Sequence, residues 1–157
     1  MIKRNLFLMI ILMVLFCGCK PGHEKLAKND MLKIVEANNL LIKEYFEKAD
    51  IEKLALMYTD SAKLSPNGDN FVFGRDSIKA FWANDFKTSK VLEMTTTTLT
   101  VDGNNRVIYE TGKATSRILY MDSVYTPTVK FINVWVKQNN GKYLLDVDFW
   151  NKDLPKK

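Results

Sequence analysis

The feature that constrains this chain most is a pair of strand-like stretches near its C-terminus, joined at Asn140-Gly141. Asn-Gly between alternating apolar residues signals a β-hairpin, because both residues readily take the left-handed backbone that a two-residue turn requires. Residues 124–138 and 143–150 then pair antiparallel, with Asn139 opposite Lys142. That register sets Trp135 against Asp146, Asn133 against Asp148, and Phe131 against Trp150. Strand side chains alternate between faces, so these six share one face. Ile132, Val134, Val136, Leu145, Val147 and Phe149 share the other. The second face is plain hydrophobic surface. The first sets large aromatics beside two carboxylates and an amide, and burying those without partners costs several kcal/mol. They therefore have donors or line a wet cavity.

Two further strand-rich stretches precede the hairpin. Residues 91–101 include four consecutive threonines, which are good strand formers, and Asp102-Gly103-Asn104-Asn105 turns them into residues 106–120. A turn near Asp122-Ser123 leads on to the hairpin, which completes a four-stranded antiparallel meander. Ahead of the strands the period changes. Met31, Ile34, Val35, Asn38, Leu41, Ile42, Tyr45, Phe46 and Ala49 recur at helical spacing, with Asn29 or Asp30 placed to cap the helix. Asp50 opens a short second helix through Ile51, Leu54, Ala55 and Tyr58. Residues 60–65 read as extended, Pro66-Asn67-Gly68-Asp69 as a turn, and Phe71-Val72-Phe73 as a short strand. A third helix, capped by Asp76 or Ser77, carries Ile78, Phe81, Trp82 and Phe86. Helices followed by a meander define an α+β domain with helices packed on one sheet face.

The N-terminus reads as an export signal. Lys3 and Arg4 precede eleven unbroken apolar residues, 6–16, too few to span a bilayer but suited to a signal-peptide core. Phe16-Cys17-Gly18-Cys19 resembles the lipobox of bacterial lipoproteins. That resemblance implies cleavage after Gly18 (residues 1–18 being signal peptide), diacylation of Cys19, and a lipid anchor that needs no second membrane segment. Residues 19–29, with Pro21 and Gly22, form a tether, and 30–157 the domain. The expected location is the cell envelope. Lys20 lacks the retention character of an aspartate, which favours the outer membrane. Cys17 and Cys19 are the chain's two cysteines, so the mature domain has no disulfide and stands on its core. The formal charge of +5 is spread over tether, C-terminus and Lys3-Arg4 rather than along a basic helix, which argues against nucleic acid as a partner.

Three stretches, in order and at the right spacing, resemble the SnoaL-like branch of the nuclear-transport-factor-2 (NTF2) and ketosteroid-isomerase superfamily. They are Leu56-Met57-Tyr58-Thr59-Asp60-Ser61-Ala62; Gly74-Arg75-Asp76-Ser77-Ile78 through Phe81-Trp82; and Val134-Trp135-Val136-Lys137 through Gly141-Lys142-Tyr143 to Asp148-Phe149-Trp150-Asn151. The resemblance covers residues 31–151. It implies a cone-shaped, curved antiparallel sheet wrapped around the N-terminal helices (an NTF2-like or cystatin-like fold), a cavity at the wide end, and frequent dimerisation. It implies no particular reaction.

Composition narrows the chemistry. The single histidine, His23, lies in the tether, which removes His-Asp dyads, serine triads and histidine metal sites from the domain. No phosphate loop or dinucleotide fingerprint is present, and neither metal nor cofactor is expected. Asn133, Trp135, Asp146, Asp148 and Trp150, with Tyr58 and Trp82 from the helical half, are the candidate ligand-lining residues. Asp148 and Tyr58 are the weak candidates for acid-base catalysis. The leading reading is a lipid-anchored domain that binds a small apolar or amphipathic molecule. A non-catalytic structural module, dimeric through the Ile132, Val134, Val136, Leu145, Val147 and Phe149 face, stands second. A cofactor-free isomerase, dehydratase or hydrolase stands third, so the chain reads as a binder before an enzyme.

Overall fold

The computed structural model describes residues 25–153. Cys19, the signal sequence and most of the tether lie outside the described residues. The chain begins with helix α1 (Lys28–Lys48), which starts two residues before Asp30. Its N-cap is Ala27, with no side-chain cap, so neither Asn29 nor Asp30 serves as the expected cap. Met31, Val35, Asn39 and Ile42 form its buried stripe, the three- and four-residue spacing that aligns side chains on one helical face. The helix ends where Ala49 turns left-handed (φ 50°) and the Asp50 N–H bonds back to Tyr45 O. Asp50 then caps α2 (Ile51–Ala55), its carboxylate accepting from Lys53 N.

Strand β1 (Tyr58–Ser65) folds back on the short β2 (Val72–Phe73). Gly74, at φ +84°, turns the chain into α3 (Arg75–Asp85). Only glycine takes that backbone at little cost, and it, not Asp76 or Ser77, occupies the N-cap. β3 (Ser89–Gly103) and β4 (Val107–Tyr120) follow the expected meander. The stretch read as one strand from residue 124 is two, β5 (Ser123–Tyr125) and β6 (Thr128–Lys137), separated by Thr126-Pro127. Proline has no N–H for the ladder and breaks it there. β7 (Tyr143–Lys152) is last.

The main path through the sheet is β2-β1-β7-β6-β4-β3. It is antiparallel except where β1 joins β7 parallel, a pairing the meander did not anticipate. The sheet is curved and open, and α1 lies across its inner face. Lys43 Nζ donates to Met94 O, and Met94 N donates to the Glu47 carboxylate, each at 2.8 Å. Fully buried Val35, Leu54, Leu64, Ile78, Ile108 and Trp135 belong to one core between helices and sheet. Each such side chain is worth about 1.5–3 kcal/mol relative to exposure.

The hairpin departs from its expected geometry twice. Its loop is three residues, not two. Gly141 N donates to Gln138 O, Gly141 sits at φ +83°, and Gln138 pairs with Lys142. This is a type I turn with a left-handed glycine, the next commonest hairpin closure. Near the turn the register is therefore shifted by one, and Trp135 faces Leu145 rather than Asp146. A bulge between Val134 and Trp135 then restores the expected register, so Asn133 faces Asp148 and Phe131 faces Trp150. Because of the bulge, Leu145 and Asp148 both point inward, while Asp146 and Val147 together fill the outward step. Leu145, 1 % exposed, is core and does not belong to the outer apolar face.

Candidate functional site

Between α1, α3 and the sheet lies a cavity of about 430 Å³. Its helical wall is aromatic. Trp82 meets Phe46 edge-on at 4.8 Å and Phe81 at 4.9 Å between ring centroids, and Phe86 packs against Phe46. The sheet wall carries Ala114, Ser116, Phe131 and Trp150. Gly112 makes room for this wall, because a Cβ there would fall 2.3 Å from the Phe131 ring and 2.6 Å from Thr97 O.

The polar end gathers three strands. Tyr58 opens β1 and is fixed by Arg75, whose Nε and Nη2 donate to its carbonyl at 2.9 and 2.7 Å. Its hydroxyl donates to Asp148 Oδ2 at 2.7 Å and accepts from Trp82 Nε1 at 3.3 Å. Burial pushes the Asp148 carboxyl up to about 6. The Tyr58 hydrogen bond opposes that shift, and the negative charge of Glu110 adds a smaller push. Burial, then the Asp148 charge and hydrogen bond, hold the Tyr58 phenol well above its ordinary value, so it remains a donor. Asn133, opposite Asp148 in the ladder, is 7 % exposed, and its Oδ1 is buried without a hydrogen-bond partner.

Five of the seven ligand-lining candidates line this cavity: Tyr58, Trp82, Asn133, Asp148 and Trp150. Trp135 does not. It is fully buried below the floor, with Nε1 donating to Glu110 Oε2 at 2.9 Å. Asp146 is also outside, carried off by the bulge to accept from Thr59 Oγ1 at 2.8 Å and to sit 3.7 Å from Lys63 Nζ. A carboxylate left opposite Trp135 would have been buried without such partners, at a cost of several kcal/mol.

Glu110 is the residue that reading the hairpin alone missed. It is 0 % exposed, and its carboxylate accepts from Asn39 Nδ2 (2.7 Å), Thr98 Oγ1 (2.6 Å) and Trp135 Nε1. The signal was present in β4, where Ile108, Glu110, Gly112 and Ala114 occupy alternate positions: one acid in an otherwise apolar or small inward row. Glu110 ties α1 to the sheet beneath the cavity. Among the described residues no cluster of side chains suits a metal ion, and no helix is long and apolar enough to cross a membrane.

No protein-family model and no curated protein sequence matches the chain. Solved structures do. A ketosteroid isomerase-like protein from Erwinia carotovora atroseptica superposes with a TM-score of 0.72 at 18% identity, covering 81% of this chain and 99% of that one. A Catenulispora acidiphila protein in complex with S-DNPA gives 0.72 at 14% identity, covering 80% and 96%. A member of the NTF2-like family from Streptomyces avermitilis gives 0.65 at 14%, covering 82% and 100%. The fold is therefore that of the ketosteroid isomerase-like and NTF2-like proteins, as the three sequence stretches implied. At these identities the likeness establishes architecture alone.

Proposed function

We propose that the domain captures a small amphipathic molecule in the cavity between α1, α3 and the sheet. The apolar body lies against Phe46, Phe86, Phe131 and Trp150, and the polar end meets Asp148 and Asn133. The observation that carries this reading is the Asn133 amide oxygen, buried without a partner beside the Asp148 carboxylate. A buried polar group left unsatisfied costs about 1–3 kcal/mol, and a bound polar group removes that cost. The likeness to a protein solved with S-DNPA bound supports a ligand role for this architecture. Native mass spectrometry of the purified full-length chain tests the reading. A co-purifying small molecule, lost when Ser116→Phe fills the sheet wall, is the expected result; a bare wild-type mass after purification without detergent extraction of ligands overturns it.

Two further features belong to the same proposal. Cys19 anchors the protein by lipid to the outer membrane of the cell envelope, on the strength of residues 1–19 and their likeness to a lipoprotein signal. The outer sheet face pairs with a second copy. Ile132 and Phe149 on that face are 48% and 39% exposed, Tyr109 lies beside Val134 at 54%, and such a patch favours a covering partner. Catalysis by Asp148 and Tyr58 stays behind binding as a reading. Tyr58 already donates to Asp148 Oδ2, so the candidate acid and base are bonded to each other.

A further inference from the structure

The charge balance of the cavity's polar end narrows the ligand class, and this inference rests on the binding role proposed above. Asp148 lines that end, and Glu110 is buried beneath it. Neither forms an ion pair among the described residues. Glu110 is satisfied by three neutral donors and Asp148 by the Tyr58 hydroxyl. Among the described residues the one cationic side chain that lines the cavity is Lys152, exposed at the end of β7, and it pairs with neither acid. A third carboxylate, Asp85, lines the same cavity and accepts only from Ser89 Oγ. Buried charge is normally neutralised by a counter-charge or by protonation, and among the described residues no cation pairs with either acid.

We infer that the ligand is a cationic amine on an apolar, ring-bearing body. A primary ammonium carries three N–H donors and no acceptor. It satisfies the free Asp148 oxygen and the orphaned Asn133 Oδ1 together, and it supplies the missing positive charge. Trp82, Phe86, Phe131 and Trp150 line the same cavity as aromatic walls, and aromatic rings attract a desolvated cation. A carboxylate ligand meets the opposite situation, bringing negative charge against Asp148 with Glu110 beneath it. A neutral alcohol satisfies the hydrogen bonds but not the charge.

Equilibrium dialysis of the purified full-length chain against 1-naphthylmethylamine, 1-naphthalenemethanol and 1-naphthoate separates these cases, because the three share one ring body. The amine is expected to bind about tenfold more tightly than the alcohol, equivalent to about 1.4 kcal/mol, with the carboxylate weakest. Asp148→Asn keeps the shape and should erase the amine's advantage while the alcohol still binds. Asp146→Asn removes a carboxylate that lies outside the cavity and should keep the advantage. Equal binding of amine and alcohol, or preferred binding of 1-naphthoate, overturns the amine inference and leaves the pocket reading standing. Failure of all three probes to bind overturns the pocket reading and the inference with it.

Discussion

Asp148→Asn offers the sharpest test of how the polar end is built. In the folded chain burial lifts the Asp148 carboxyl from 3.8 to about 6, despite the Tyr58 hydrogen bond. A carboxyl whose folded value is raised binds its proton more tightly in the native state. Its contribution to stability is fully present below pH 3.8 and is lost as pH rises through 6. At 1.36 kcal/mol per unit, ionising Asp148 costs the fold about 3 kcal/mol by neutral pH. Asparagine has nearly the same shape, still accepts from the Tyr58 hydroxyl, and carries no charge to desolvate. The variant should therefore gain about 2 kcal/mol on the wild type between pH 4.5 and 7.5, roughly 7 °C in Tm for a domain of this size. Differential scanning fluorimetry of both proteins across that range measures the gain. Taking the difference cancels the opposite contributions of Glu47, Asp50 and Asp153, whose values are lowered by their lysine partners. A variant less stable than the wild type at pH 7.5 would refute the reasoning, since Asp148 would then be a paired structural acid.

The other predictions concern separate parts of the molecule. Glu110→Gln turns one accepting oxygen into a donor facing Asn39, Thr98 or the Trp135 N–H. It should lower unfolding stability by about 1.5–3 kcal/mol in urea titrations, and an unchanged midpoint would mean those bonds are not made. Val134→Glu puts a charge in the outer apolar face; sedimentation should show the wild type as a dimer at micromolar concentration and the variant as a monomer, whereas a wild-type monomer removes the homodimer proposal. Cys19→Ser should shift the protein from the membrane to the soluble fraction, and a variant that still sediments with membranes contradicts the lipid anchor.

The sequence carried the fold through period. Alternation in residues 91–150 and helical spacing in residues 31–46 are each imposed by burial of one face, so meander and helix could both be read. Three things escaped that logic. The β1–β7 parallel pairing joins segments some eighty residues apart, and no local pattern records such a partner. Loop length escaped because Asn-Gly serves both two-residue turns and the three-residue turn found here, in which glycine alone takes the left-handed position. The bulge at Asp146 escaped because strict alternation has no place for an extra residue. The last two shifts cancel beyond Val134. That cancellation is why Asn133, Asp148, Phe131 and Trp150 met as expected while Trp135 and Asp146 did not. Glu110 was legible in the alternation of β4, as an acid among small and apolar inward positions, but its donors come from α1, β3 and β6 and could not be named without the fold.

Whether the cavity beside Asp148 and Asn133 holds a ligand is decided by a crystal structure of the protein purified from its native source. Connected non-solvent density is expected against Trp82 and Phe131, with a donor atom within hydrogen-bond distance of both the Asp148 carboxylate and Asn133 Oδ1. A cavity collapsed onto its aromatic walls, with the Asn133 amide turned to a protein partner, would contradict it.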